Sequence, residues 1–139
     1  MRKKENSDYY VNRHSCFLIQ YHMVFVTKYR HPVLTGAVRD EIYERIHYIA
    51  GQRGFNILEI NGEPDYVHIL IEADVTATPA EIANVFKTQT ARRARKLYGD
   101  TILKKYYWKP YFWSDSYFIS SVSENSLNTI KQYIRNQGK

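Results

Sequence analysis

The stretch "PDYVHILIEA" (Pro64 to Ala73) sets His68 in an apolar run, two residues after Tyr66. Side chains alternate along a strand, so Tyr66, His68 and Leu70 share one face, while Val67, Ile69 and Ile71 share the other. An imidazole so placed is either a hydrogen-bonded structural residue or half of a metal site. In "TIKQYIRNQ", Tyr133 and Gln137 lie four apart, about 40° from each other on a helix advancing about 100° per residue. They flank a stripe of Leu127, Ile130 and Ile134, and alone they read as amphipathic packing with a surface glutamine. In "NVFKTQTARRARKLYG" the side chains of Lys87, Arg92, Arg93, Arg95 and Lys96 can contact phosphates, and Gln89 and Thr90 can hydrogen-bond. The competing account is a solvated helix face. "YYWKPYFWSDSYF" interleaves aromatic rings with Lys109, and unpaired bases stack on such rings. Core and loop packing explains most of them equally well.

These residues need elements to position them. "CFLIQYHMVFVTKYR" (Cys16 to Arg30) reads as one strand, broken by "RHPVLTGA". Val38, Ile42, Ile46 and Ile49 recur at helical spacing over residues 37–53, with Gly51 and Gly54 as the stop. "FNILEI" and "YVHILIEA" read as a hairpin joined by "NGEPD". Thr78, Pro79 and Glu81 form a helix start, and that helix runs to about Tyr98 and Gly99. "SYFISSV" is a further strand, and "ENSLNTIKQYIRNQ" a last helix. The order gives an α+β fold: a ferredoxin-like βαββαβ antiparallel sheet with helices on one face, plus a C-terminal helix. That fold hosts many functions and decides none.

The 139 residues suit one domain spanning 1–139, with residues 1–14 expected to be flexible. Hydrophobic residues make up 44%, enough for a core, and 13 tyrosines suit a gripping surface. The net charge of +6 is unevenly spread. Between Lys87 and Lys109 the only acid is Asp100, whereas no Lys or Arg falls between Glu59 and Glu81. A basic block points to a polyanion, and an acidic stretch can attract a divalent cation. One cysteine, Cys16, excludes an internal disulfide and a cysteine-based zinc site. No apolar run approaches membrane-spanning length and no signal-peptide pattern opens the chain, so no membrane partner and a cytoplasmic location are expected.

Taken in order, "YHMVFVTKYRHPVL", "PDYVHILI", "FKTQTARR", "FWSDSYFISSVS" and "TIKQYIRNQ" resemble the single-tyrosine HUH transposases of small insertion sequences, over about residues 15 to 137. The resemblance implies that Tyr133 is the nucleophile and that His68 and Gln137 are metal ligands. Tyr66 stands where that family has its first ligand histidine. It implies a divalent cation (Mg²⁺ or Mn²⁺), bound weakly for want of that histidine. It also implies single-stranded DNA with a hairpin as substrate, a 5′-phosphotyrosine intermediate, and a homodimer. Lys28 and Arg30 become further phosphate contacts alongside Lys87, Gln89, Thr90, Arg92, Arg93 and Lys96. His22 is expected to pack or hydrogen-bond near the active face, and His31 to sit in a turn. The alternative is a family member weakened or inactive in catalysis that works as a hairpin DNA- or RNA-binding regulator. An RNA-binding module of the RRM type ranks below both, because its third-strand signature is absent.

Overall fold

A computed structural model describes residues 1–123 and 126–137. Its elements in chain order are β1 (Arg2–Lys3), β2 (Tyr10–Val11), β3 (Cys16–Phe17), β4 (Ile19–Val26), α1 (Gly36–Arg53), β5 (Asn56–Glu63), β6 (Tyr66–Ala73), α2 (Pro79–Tyr98), β7 (Phe118–Ser121) and α3 (Ser126–Asn136). The four long strands form an antiparallel sheet in the order β5-β6-β4-β7, as the split βαββαβ pattern requires.

The two faces of this sheet differ because its strands alternate. Met23, Phe25, Val67, Ile69 and Ile71 point to one side, where α1 and α2 cover them with Val38, Ile42, Ile46, Ile82 and Phe86. On the other side a small cluster of Val24, Val26 and Ile130 sits beneath α3. Leu127, expected in the buried stripe of that helix, is 62% exposed. Leu127 is in the first turn of α3, about 60° around the helix from Ile130, and lines the open cavity between α3 and the sheet rather than the packed cluster.

Local signals explain the boundaries. The Thr78 hydroxyl accepts from the Glu81 N–H at 3.2 Å, with Pro79 as the first helical residue. Helix α1 runs through Gly51 and stops at Gly54, whose left-handed backbone (φ 73°) turns the chain toward β5. The hairpin is tighter than expected: β5 reaches Glu63, which pairs with Tyr66, leaving Pro64 and Asp65 as the loop. Gly62 permits this, since a Cβ there would lie 2.2 Å from the Tyr66 carbonyl oxygen.

Two further differences matter. The first strand does not run from Cys16 to Arg30; it ends at Val26, and Lys28–Arg30 form a 3-10 turn. Tyr29 (φ 58°) and Arg30 (φ 53°) both adopt left-handed backbone, which ends the pleat. The segment expected to be flexible, residues 1–14, supplies β1 and β2, and Tyr10 is buried with its hydroxyl on Glu72. Glu124 and Asn125, read as the start of the last helix, lie outside the described residues. No described helix is long and apolar enough to cross a membrane.

Candidate active site and nucleic-acid interface

Alternation along β6 puts Tyr66 and His68 on the α3 side of the sheet, and the pairing with β4 brings His22 there too. The two imidazoles meet across the sheet, with His22 Nδ1 2.8 Å from His68 Nε2. One ring must donate and the other accept, so the pair is at home when both are neutral. Burial lowers both pKa values, and the neighbouring His22 lowers that of His68 further; Glu59 acts weakly the other way. Beside the pair is a cavity of about 230 Å³ between Glu59, Asn61, Tyr66 and His68 on the sheet and Leu127 and Lys131 on α3.

Tyr133 on α3 and Gln137 just past its end reach toward Ser116, ahead of β7. The Tyr133 hydroxyl lies 3.2 Å from Ser116 Oγ, and its ring packs 5.3 Å from that of Phe118. Ser116 Oγ donates to Gln137 Oε1 at 3.4 Å. Since Ser116 has one proton to give, Tyr133 donates to the serine oxygen. Tyr66 and Tyr133 pack against the same Val24, Val26 and Ile130 cluster, but their hydroxyls do not share a partner.

As arranged, the three positions named for a metal do not fit one. His68 Nε2 is spent on His22 and Gln137 Oε1 on Ser116. Burial, with Glu63 and Asp65 adding to it, raises the Tyr66 pKa and keeps its phenol neutral, a poor cation ligand. Among the described residues no group of three His, Cys, Asp or Glu could hold a metal.

The basic residues divide sharply. Gln89, Arg92, Arg93 and Lys96 line one concavity of about 230 Å³ together with Arg45 of α1. Arg93 Nε is also 2.6 Å from Glu41 Oε1, which fixes its direction. Sequence reasoning missed Arg45; its only signal was an outward position on α1, and nothing local announces that α1 packs beside α2. Thr90 does not belong to the interface. It is fully buried, donates to the Phe86 carbonyl at 2.6 Å, and accepts from the Trp113 indole N–H at 2.9 Å. Lys87 is half-buried with its ammonium on the Ser114 carbonyl at 2.9 Å, and burial lowers its pKa. Lys28 pairs with Asp115 at 3.4 Å. Arg30 is committed to holding α3: it meets Asp65 Oδ2 at 2.8 Å and donates 3.1 Å bonds to the carbonyls of Ile134 and Gln137. Those are orphan acceptors at a helix C-terminus, where a guanidinium is doubly favourable.

The chain matches known proteins along most of its length. The family described as "Transposase IS200 like" matches residues 15–137. The ISDra2 transposase TnpA of Deinococcus radiodurans is 34% identical over 121 residues, covering 87% of this chain and 85% of that one. The transposase for insertion sequence element IS200 of Salmonella typhimurium is 26% identical over 124 residues, covering 89% and 80%. A candidate transposase from D. radiodurans R1, known from a crystal structure, superposes with a TM-score of 0.83 at 33% identity, covering 91% of this chain and 96% of that one. A REP-associated tyrosine transposase bound to a REP hairpin shares the fold alone, with a TM-score of 0.58 at 8% identity over 93% of this chain and 76% of that one. This chain belongs to the IS200-like transposase family.

Proposed function

We propose that this transposase cuts and rejoins single-stranded DNA at hairpin-bearing ends of an insertion element, with Tyr133 as nucleophile. The phenolic oxygen attacks phosphorus, the bond to the 3′ oxygen breaks, and the phenolic proton is lost as the released 3′ oxygen gains one. The product is a 5′-phosphotyrosine that conserves the bond energy, and an incoming 3′-hydroxyl reverses the step. The observation that carries the reading is the Tyr133–Ser116–Gln137 chain, which holds the phenolic hydroxyl by a neutral acceptor on a half-exposed flank. The concavity of Arg45, Gln89, Arg92, Arg93 and Lys96 supplies the grip on the hairpin. The working unit in this reading is a homodimer, to be checked by light scattering at micromolar concentration.

A second reading, hairpin binding without cutting, is favoured by the His22–His68 bond and the neutral Tyr66 phenol, which leave a divalent cation such as Mg²⁺ or Mn²⁺ no ready three-donor site. One experiment separates the two. Labelled single-stranded element ends are incubated with Mn²⁺ and run on a denaturing gel. Cutting predicts a covalent adduct that Tyr133→Phe abolishes while hairpin affinity stays unchanged. Binding without an adduct supports the regulator. An adduct surviving Tyr133→Phe removes Tyr133 from its role.

A further inference from the structure

The segment "KKYYWKP" (Lys104 to Pro110) and the turn Lys28–Arg30 come together, and none of the residues used above explains what they build. Trp108 is 71% exposed, the most exposed large apolar side chain among the described residues, and it stacks on Tyr29, itself 50% exposed. Their rings lie 5.5 Å apart and 15° from parallel. Tyr111 closes one side edge-on to both, 5.8 Å from Tyr29 and 5.6 Å from Trp108.

Tyr29 reaches this position through a left-handed backbone that a bulky residue seldom adopts. Its neighbours hold it there. Tyr107, buried beneath, donates its hydroxyl to the Lys28 carbonyl at 2.8 Å, and the Lys28 N–H donates to the Phe112 carbonyl at 2.8 Å. The open face of the stack is therefore set before any ligand arrives, so little ordering cost remains to be met on binding.

The surroundings state the charge of the occupant. Lys104, Lys105 and Lys109, in the same segment as Trp108, are exposed, and the Lys28 ammonium lies 5.4 Å from the Tyr29 ring centre and 5.0 Å from that of Tyr111. Asp115 is the acid in contact, paired to Lys28. A flat aromatic face with one ammonium beside its rings, in a segment carrying three more exposed lysines, suits a planar group carried on a polyanion. Arg30, next in sequence to Tyr29, grips the end of the helix bearing Tyr133.

We propose that Trp108 and Tyr29 form a stacking platform for an unpaired base in the single-stranded DNA that flanks the hairpin. This deepens the proposed function and rests on it. Stacking a base on an aromatic ring contributes enough that its removal weakens binding by about tenfold.

The test compares a hairpin carrying a single-stranded flank with the same hairpin cut blunt. Trp113 is buried with its N–H on Thr90, so quenching of exposed tryptophan emission reports Trp108. The flanked hairpin should quench it and the blunt one should not. Trp108→Ala and, separately, Tyr29→Ala should weaken flanked binding about tenfold, leave blunt binding unchanged, and keep the emission of buried Trp113. Trp108→Phe should restore affinity without the signal. Unchanged flanked affinity in Trp108→Ala, with the parent still binding hairpins, overturns the platform alone. A parent that binds neither DNA overturns the function on which it rests. A Trp108→Ala chain that loses dimer mass in light scattering assigns the surface to a second copy instead, which also overturns the platform.

Discussion

The two faces of the central sheet are built from neighbouring residues of the same strands, yet they do opposite work. Toward α1 and α2, β4 and β6 present Met23, Phe25, Val67, Ile69 and Ile71, all without solvent contact. Toward α3 the alternate residues are Gln20, His22, Val24 and Val26 on β4, and Tyr66, His68, Leu70 and Glu72 on β6. One face is a dry core that fixes the fold. The other keeps polar groups satisfied by one another: His22 with His68, and Glu72 with Tyr10, Gln20 and Asn56. A family of DNA-processing proteins needs both. The first makes the scaffold rigid, and the second leaves room for side chains whose chemistry depends on not being buried in hydrocarbon.

The sharpest way to break this contrast is truncation on each side. Ile69→Ala should cost about 2–5 kcal/mol of unfolding free energy, because α1 and α2 cannot collapse into the void. Ile130→Ala, on the thinner face, should fall at or below the lower end of that range. Denaturant melts that give equal losses would mean that α3 is as firmly packed as α1 and α2.

A second test asks whether the outer surface of the dry side binds DNA. Replacing Arg92 and Arg93 with Ala should weaken hairpin binding and lower the salt slope by about one per arginine. Plain duplex should bind more weakly than the hairpin in the parent. Equal affinity for both would remove shape recognition from the α1–α2 concavity.

On the polar face, Tyr66→His supplies the imidazole that the resemblance expects. Second-partner losses at metal sites already cost about 10–100-fold in affinity, so Mn²⁺ titration should show a gain of at least tenfold. No change would make His68 a structural residue held by His22.

The smallest effect concerns pH. Burial alone would raise the Glu72 pKa, but hydrogen bonds from Tyr10, Asn56 and Gln20 outweigh it and the folded value is lowered. The unfolded chain then binds more protons than the folded one, so this contribution is full above about pH 4.5 and fades as pH falls through the folded value. Thermal melts of Glu72→Gln should show a flatter decline on acidification than the parent.

Much of this was legible in the sequence because local rules decide it. The helical spacing of Val38, Ile42, Ile46 and Ile49, the Thr78–Pro79–Glu81 start and the alternation of β6 each carry their own signal. The four-residue spacing put Tyr133 and Gln137 on one flank, and they do share Ser116. What stayed hidden depends on register and tertiary approach. His22 meets His68 because β4 pairs with β6 in one register of several. Arg45 joins the basic concavity because α1 lies along α2. Arg30 reads as a phosphate contact until a left-handed turn aims it at α3. Thr90 reads as an interface residue because helix period alone does not say which way Trp113 will approach.

That last contact sets limits on how this protein can drift over generations. Thr90 returns its proton to the Phe86 carbonyl and offers its oxygen to the Trp113 indole. Valine would fill the same space and leave the buried N–H without an acceptor, at a cost of roughly 1–3 kcal/mol. The exposed cations near position 90, such as Arg92 and Lys96, carry no such buried contact. The threonine among them can tolerate only serine-like replacements, unless Trp113 changes in the same lineage.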